Sequence, residues 1–180
     1  MEIRLATRQD VPAIMALEAR HYVGNLDPSE QADGFISILH SQDWFTGAVD
    51  SAGVHISTAD DGAVTGFIAV TAPPVRMDEG TSPIIRATLE LAATLDFDGI
   101  PIAQQRFAFR GPVLIDRAAR GRGVYAAFNE VARDAYKDRF DLGVLVVGRS
   151  FHTTTTKLGA KPLATFEVDS TRYHFLAFRF

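Results

Sequence analysis

Two glycines and two arginines stand where a strand-like segment gives way to a helix-like one. The segment 111–136, GPVLIDRAARGRGVYAAFNEVARDAY, carries them as RGRG at positions 120–123. The first N–H groups of a helix have no partner inside the helix, and the helix dipole adds roughly half a positive charge there. Glycines let a ligand approach these groups, and Arg120 and Arg122 add guanidinium donors. The pattern predicts a binding site for a phosphorylated ligand. RGRG alone is also compatible with a tight turn whose two arginines are solvated.

Two well-known phosphate-binding patterns fit poorly. The P-loop string G-x-x-x-x-G-K-[S/T] does not occur in the sequence. The dinucleotide pattern G-x-G-x-x-[G/A] matches GRGVYA at 121–126, but RAAR separates it from Asp116. The next strand-like run, LGVLVVG, ends in glycine where a dinucleotide-binding domain carries an acidic residue. Too little chain follows Gly121 for such a domain, so a nicotinamide-dinucleotide protein is the weakest alternative.

The bulk composition excludes several classes of protein. The 180 residues suffice for one domain, and the absence of cysteine excludes disulfides, thiolate nucleophiles and cysteine-bound metals. A net charge of −4 gives no overall basic footprint for nucleic acid. The opening MEIRLATRQD lacks the features of a signal peptide, and no apolar run reaches the about 18 residues of a membrane span. We therefore expect a cytoplasmic protein that binds neither nucleic acid nor membrane.

Hydrophobic periodicity predicts a mixed α/β domain that spans residues 1–180. VHISTADDGAVTGFIAV predicts a hairpin around DDG, and RFAFRGPVLID predicts the longest strand, interrupted by a bulge or edge at Gly111-Pro112. SFHTTTTKLGA predicts a short helix that ends at Gly159. The closing YHFLAFRF predicts an apolar edge strand, for which a homodimer would supply a cover. The whole pattern indicates about seven strands with helices on both faces.

The second half of the chain resembles the GNAT superfamily of N-acetyltransferases. The resemblance rests on VLIDRAARGRGVYAAFNEVA, then LGVLVV, then KLGAKPLATFEV. The family's [Q/R]-x-x-G-x-[G/A] pattern falls on residues 120–125, where Tyr125 replaces the last small residue. IRLATRQDVPAIMALE and DGAVTGFIAV resemble the family's opening and its central hairpin. The resemblance covers the chain except roughly 24–52 and 73–103, which correspond to the variable acceptor side. It implies a three-layer α/β/α sandwich around a mixed, mostly antiparallel sheet. It also implies direct acetyl transfer from acetyl-CoA, as co-substrate, to an amine of a small molecule, peptide or protein.

The resemblance also implies where acetyl-CoA binds. Its pantetheine arm would pair with a strand edge, its pyrophosphate would lie on the amides at the helix start, and Phe151 would pack beside the arm. The strand edge comprises Leu114, Ile115, Asp116 and Arg117, and the pyrophosphate site comprises Arg120, Gly121, Arg122, Gly123, Val124 and Tyr125.

The catalytic residues are harder to predict. The strand QQRFAFRGPVLID has no glutamate to serve as a base, which leaves Asp116, and His152 suits proton transfer near neutral pH. The alternative interpretations are that Asp116 is a solvated carboxylate at the end of the strand and that His152 caps a helix. Many family members have a tyrosine acid where this chain has Thr155, and an asparagine where it has Gly148. These departures favour a second hypothesis, a degenerate domain that binds CoA or another phosphorylated ligand without turnover.

Other residues that could do chemistry lack a supporting pattern. The remaining histidines have no metal-ligand spacing, so no metal site is predicted. Trp44, Phe45 and Met77 would suit the lining of an acceptor pocket, although large apolar residues more often belong to the core.

Overall fold

The structure, a computed structural model, describes residues 1–27, 29–33, 36–74, 81–148 and 151–180. Within these residues the strands are β1 (Glu2–Leu5), β2 (Val54–Thr58), β3 (Val64–Thr71), β4 (Asp96–Phe97), β5 (Ile100–Pro101), β6 (Phe107–Ile115), β7 (Leu142–Val147), β8 (Lys161–Val168) and β9 (Thr171–Arg179). The α-helices are α1 (Val11–Arg20), α2 (Gln42–Asp50), α3 (Pro83–Thr94), α4 (Val124–Tyr136) and α5 (Phe151–Leu158). Short 3-10 helices include Glu30–Asp33, Ile102–Gln104 and Arg117–Ala119.

Seven of the strands form one mixed sheet in the order β1-β2-β3-β6-β7-β9-β8. The predicted mixed sheet of about seven strands is thus confirmed, whereas its order was not predicted. The pairs β1–β2, β2–β3, β7–β9 and β8–β9 are antiparallel, whereas β6 and β7 are parallel. The prediction of a C-terminal edge strand is wrong, because β9 lies between β7 and β8. Its consecutive buried residues, Phe175 to Phe178, match a strand that is covered on both faces.

The chain divides into two compact units, the first of which comprises Met1–Thr71 and Gly111–Ala132. Here α1 and α2 pack against β3. Helix α1 presents an apolar stripe to the core, since Ile14 and Leu17 are fully buried. Phe45 of α2 meets Phe67 of β3 edge to face, with ring centroids 5.7 Å apart. These contacts form the core of the first unit.

The second unit comprises Ala72–Arg110 and Arg133–Phe180. Helix α3 begins after Ser82, whose hydroxyl accepts a hydrogen bond from the Ile84 amide at 3.3 Å. The core beneath it includes Phe97, Ile102 and Phe175, all nearly or fully buried. Helix α5 ends before Gly159, which has φ 72° and so adopts the left-handed conformation predicted for a glycine at this place.

Two strand predictions have different outcomes. The hairpin around DDG is confirmed, since β2 and β3 are antiparallel and Gly62 turns the chain with φ 83°. The predicted bulge or edge at Gly111-Pro112 stays a prediction: β6 continues through this step, whose peptide bond is cis, but its parallel register with β7 covers only Phe107 to Phe109. Gly111 has φ 146°, a backbone conformation that glycine adopts easily because it has no side chain. The strand therefore continues through this residue.

No helix in the described ranges is both long and apolar enough to cross a lipid bilayer.

Candidate phosphate-binding site

The chain turns from β6 into α4 through a compact loop in the first unit. One residue beyond the strand, the Asp116 amide donates to the Thr65 carbonyl of β3 at 2.8 Å. An Asp116 carboxylate oxygen then accepts from the Ala118 amide at 3.1 Å and caps the 3-10 helix Arg117–Ala119. The RAAR segment between strand and glycines is therefore a single capped turn that redirects the chain to the start of α4.

Gly121 and Gly123 adopt backbone conformations that other residues rarely take. Their φ angles are 75° and 81°, in the left-handed region. A Cβ atom at either position would have no atom within 4 Å apart from those of the same and the adjacent residues. The protein therefore does not crowd these positions, and the space beyond the exposed loop backbone is open to a ligand.

The positive end of α4 lies directly after Gly123. The Ala127 amide donates to the Gly123 carbonyl at 3.0 Å, which is the first bond of the helical series. The earlier amides, Val124 to Ala126, have no carbonyl one turn before them in the helix. Val124 and Phe128 are almost fully buried and anchor the helix. The open glycine backbone therefore lies beside the dipole of a 13-residue helix.

The two arginines of RGRG lie in different surroundings. The Arg120 Nε donates to the Ile115 carbonyl at 3.1 Å and ties the loop back to the end of β6. Arg122 instead lines a surface cavity of about 210 Å³ beside the β2–β3 turn. No hydrogen bond or ion pair of Arg122 occurs within the described part of the chain.

Asp116 also pairs with a residue far away in sequence. Arg20, in the last turn of α1, places a guanidinium nitrogen 3.3 Å from its carboxylate. Burial pushes the pKa of Asp116 upward, but the Ala118 amide, Arg20 and His21 more than offset this effect, so the pKa lies below its usual value. A carboxylate held in this way is a weak proton acceptor, and its role as a base stays a prediction.

Arg117 makes a second link to the segment after α1. Its guanidinium donates to the Glu30 carbonyl at 3.2 Å and lies 3.5 Å from the Glu30 carboxylate. His21 is 8% exposed, and burial lowers its pKa, with Arg120, Arg20 and Arg117 acting in the same direction and Asp116 opposing them. The sequence analysis missed Arg20, His21 and Glu30. The only sequence signal was for His21, which follows the buried Leu17 by four residues and so would lie on the same face of the helix.

The predicted strand edge falls at the end of β6. Leu114 is 5% exposed and belongs to the core of the first unit, while Ile115 is half-buried. Tyr125, in the first turn of α4, is also half-buried. The residues predicted to bind the CoA phosphates and the strand edge thus lie together in one unit.

Phe151 and His152 belong to the second unit. The Phe151 ring lies 4.3 Å from the His174 ring, centroid to centroid, and His152 is exposed. Thr155, at the place of the family tyrosine, donates its hydroxyl to the Phe151 and His152 carbonyls at 3.1 and 3.0 Å. That hydroxyl is therefore engaged within its own helix.

Of the residues suggested for an acceptor pocket, Phe45 belongs to the core and Trp44 packs against it. Phe45 is fully buried, and the Trp44 ring lies 5.0 Å from it and 4.0 Å from the His40 ring. His40 donates its backbone amide to Glu18 at 3.0 Å, and its Nδ1 lies 2.7 Å from the other Glu18 oxygen. Met77 lies outside the described residues. In the described ranges, no cluster of histidine and acidic side chains is arranged to hold a metal ion.

Comparison with known proteins gives a result only at the level of structure. No protein-family model and no curated protein matches the chain. A GNAT-family acetyltransferase from Streptococcus agalactiae matches with a TM-score of 0.65 at 14% identity, over 99% of this chain and 94% of that one.

Two other matches have similar scores. A phosphinothricin acetyltransferase of the GNAT superfamily from Sinorhizobium meliloti, in complex with acetyl-CoA, matches with a TM-score of 0.64 at 14% identity, over 99% and 87% of the chains. A ribosomal-protein-alanine N-acetyltransferase from Brucella melitensis matches with a TM-score of 0.61 at 14% identity, over all of both chains. The chain therefore has the fold of the GNAT N-acetyltransferases.

Proposed function

We propose that the protein is an N-acetyltransferase that transfers an acetyl group directly from acetyl-CoA to an amine. The observation that carries this proposal is the pair Gly121 and Gly123, left-handed, exposed and open to solvent at the start of α4. This arrangement suits a pyrophosphate, because backbone amides and the helix dipole stabilise a bound anion. The glycines have no side chains that would keep the anion away from these amides. The fold shared with N-acetyltransferases supports the same conclusion.

The loop and the strand before it would hold the co-substrate. The amides from Gly121 to Tyr125 would hold the pyrophosphate, and Arg120 would keep the loop in place through the Ile115 carbonyl. The backbone from Leu114 to Arg117 would pair with the pantetheine arm, with Phe151 as a packing partner. Bound in this way, acetyl-CoA supplies an activated acyl group, and the protein contributes orientation.

We propose two roles for the predicted catalytic residues. Asp116 acts as a positioning residue, since its contacts with the Ala118 amide and Arg20 shape the loop. His152, exposed at the start of α5, is the residue to test for proton transfer. The acceptor is an amine of a small molecule, a peptide or a protein.

A second candidate function is binding of CoA without turnover. It is favoured by Thr155, whose hydroxyl is bonded to two carbonyls of its own helix and replaces the tyrosine that many family members use as an acid. An alcohol is also a much weaker acid than a phenol, whose pKa is about 10.

Release of free thiol from acetyl-CoA, measured across a panel of small amines, lysine peptides and peptide N-termini, separates the two candidates. The enzyme hypothesis predicts amine-dependent thiol release together with an acetylated product detected by mass spectrometry. Tight acetyl-CoA binding without thiol release for any acceptor would favour the binding protein. The single domain over residues 1–180, the cytoplasmic location and the homodimer stay predictions, and sedimentation that shows a monomer would refute the last.

A further inference from the structure

The two arginines in RGRG have different surroundings, which indicate different roles. Arg120 is bound to the Ile115 carbonyl, and its charge lies near His21, whose pKa it helps to lower. Arg122 lies on the other flank of the loop, where it contributes to the lowered pKa of Asp60, after the larger effect of the Met1 ammonium. One arginine therefore closes the loop, while the other extends towards the β2–β3 turn.

The cavity beside Arg122 has the chemistry of an anion site. The Asp60 carboxylate at its rim already has a cationic partner, since it lies 3.0 Å from the Met1 amino group. Within the described residues, the Arg122 guanidinium has no hydrogen bond or ion pair, so its donors are available to a ligand. The volume of about 210 Å³ is large enough for a phosphate group together with part of a sugar. The lining includes Met1, Thr58, Asp60, Thr65, Ala118 and Arg122.

We propose that Arg122 and this cavity bind the 3′-phosphate of CoA and make the protein select CoA over 3′-dephospho-CoA. CoA carries, besides its pyrophosphate, a separate phosphate on the ribose attached to that pyrophosphate. If the pyrophosphate lies on the amides from Gly121 to Tyr125, the ribose phosphate lies beside the loop, within the region that the Arg122 side chain can sample. The Arg122 amide keeps its place in the pyrophosphate site, and only its guanidinium is reassigned. This inference rests on the proposed function.

Calorimetric titration with CoA and with 3′-dephospho-CoA tests the proposal without knowledge of the acceptor. The wild-type protein should bind CoA about tenfold more tightly than 3′-dephospho-CoA, the ratio expected for one charge-assisted contact. Arg122→Ala should lower the affinity for CoA by more than the affinity for 3′-dephospho-CoA and so bring this ratio close to one. Arg8→Ala removes an equal charge from an exposed site paired with Asp50 and should keep the wild-type ratio.

A second variant acts in the opposite direction. Asp60→Asn removes a negative charge from the rim of the cavity, so the preference for CoA should rise. A wild-type ratio near one, an unchanged ratio in Arg122→Ala or a fall in Asp60→Asn would overturn this inference and leave the proposed function standing. Failure of the wild-type protein to bind either nucleotide would overturn both.

Discussion

The Arg20 guanidinium lies 3.3 Å from the Asp116 carboxylate, although the two residues are 96 positions apart in the chain. Arg20 ends α1, and Asp116 is the residue at which the chain leaves β6 for the glycine loop. The neighbouring contact of Arg117 with the Glu30 carbonyl makes a second link, from the same loop to the segment after α1. The candidate phosphate-binding loop is thus held at its start by a distant part of the first unit.

Substitution of Asp116 tests whether this residue positions the loop. Asp116→Ala removes the acceptor for the Ala118 amide and should lower the free energy of unfolding by about 1 kcal/mol and weaken acetyl-CoA binding. Asp116→Asn keeps an acceptor oxygen and should have a smaller effect on both quantities. Urea denaturation and calorimetry measure them. A positioning role is refuted if Asp116→Asn binds acetyl-CoA normally but loses turnover by about 100-fold, the size of a general-base effect.

The buried carboxylate of Glu18 should be important for stability. Its side chain is 1% exposed, and both oxygens contact His40, at 2.7 and 3.0 Å. Glu18→Ala leaves the His40 groups without these contacts and should cost about 3 kcal/mol of unfolding free energy, whereas Glu18→Gln should cost less. Chemical denaturation checks this, with Glu90→Ala on the exposed face of α3 as control. Equal stability of Glu18→Ala and the control would contradict the structure.

Asp10 should make stability depend on acidic pH. Two Arg4 nitrogens donate to its carboxylate at 2.8 Å, and the Thr7 amide and hydroxyl add two more bonds at 2.8 Å. These contacts, with Arg4 foremost and burial opposing, hold the pKa of Asp10 far below its usual value. The stabilisation is therefore fully present above the unfolded-state pKa of about 3.9 and is lost as pH falls towards the folded-state pKa.

Asp10→Asn should accordingly be less stable than wild type by about 2 kcal/mol at pH 7, and the difference should shrink below about pH 4. Thermal denaturation over a pH series measures it. Asp134→Asn is a suitable control, because the Asp134 side chain is 79% exposed. A difference that stays constant from pH 7 to pH 2 would argue against the lowered pKa.

His152 and Thr155 should respond differently to substitution. His152→Ala should lower kcat by about 100-fold if this residue transfers a proton, with little change in acetyl-CoA affinity. Thr155→Val should leave kcat nearly unchanged, because the Thr155 hydroxyl is bonded to the Phe151 and His152 carbonyls. Steady-state kinetics with any acceptor from the amine panel measures both. The opposite pattern, with loss in Thr155→Val alone, would make the threonine the functional residue.

Local features of the fold were predictable from the sequence because neighbouring residues determine them. The DDG hairpin and the left-handed Gly159 depend on short-range patterning and glycine conformation, and both predictions are confirmed. The glycine loop likewise follows from adjacent residues. The C-terminal strand was misplaced, since hydrophobic patterning shows that a strand is buried without showing which strands flank it.

The contacts that hold the candidate site were not predictable in the same way. Arg20, His21 and Glu30 meet the loop through tertiary packing, and no spacing rule links them to Asp116. The different surroundings of Arg120 and Arg122 could not be predicted from the sequence either, since both residues lie beside a glycine in the same four-residue motif. The direction of these two side chains depends on the backbone conformation of the glycine loop and on the nearby β2–β3 turn.

Titration of the protein with acetyl-CoA by calorimetry, in the wild type and in Gly123→Glu, tests the central claim most directly. The substitution places a carboxylate at the open left-handed position where the pyrophosphate should bind. Gly99→Glu is the matched control, because Gly99 has a similar φ of 78° and a similarly open position. The proposed site predicts micromolar binding that Gly123→Glu abolishes and Gly99→Glu retains. Absence of wild-type binding, or equal binding by both variants, would show that RGRG is only a tight turn.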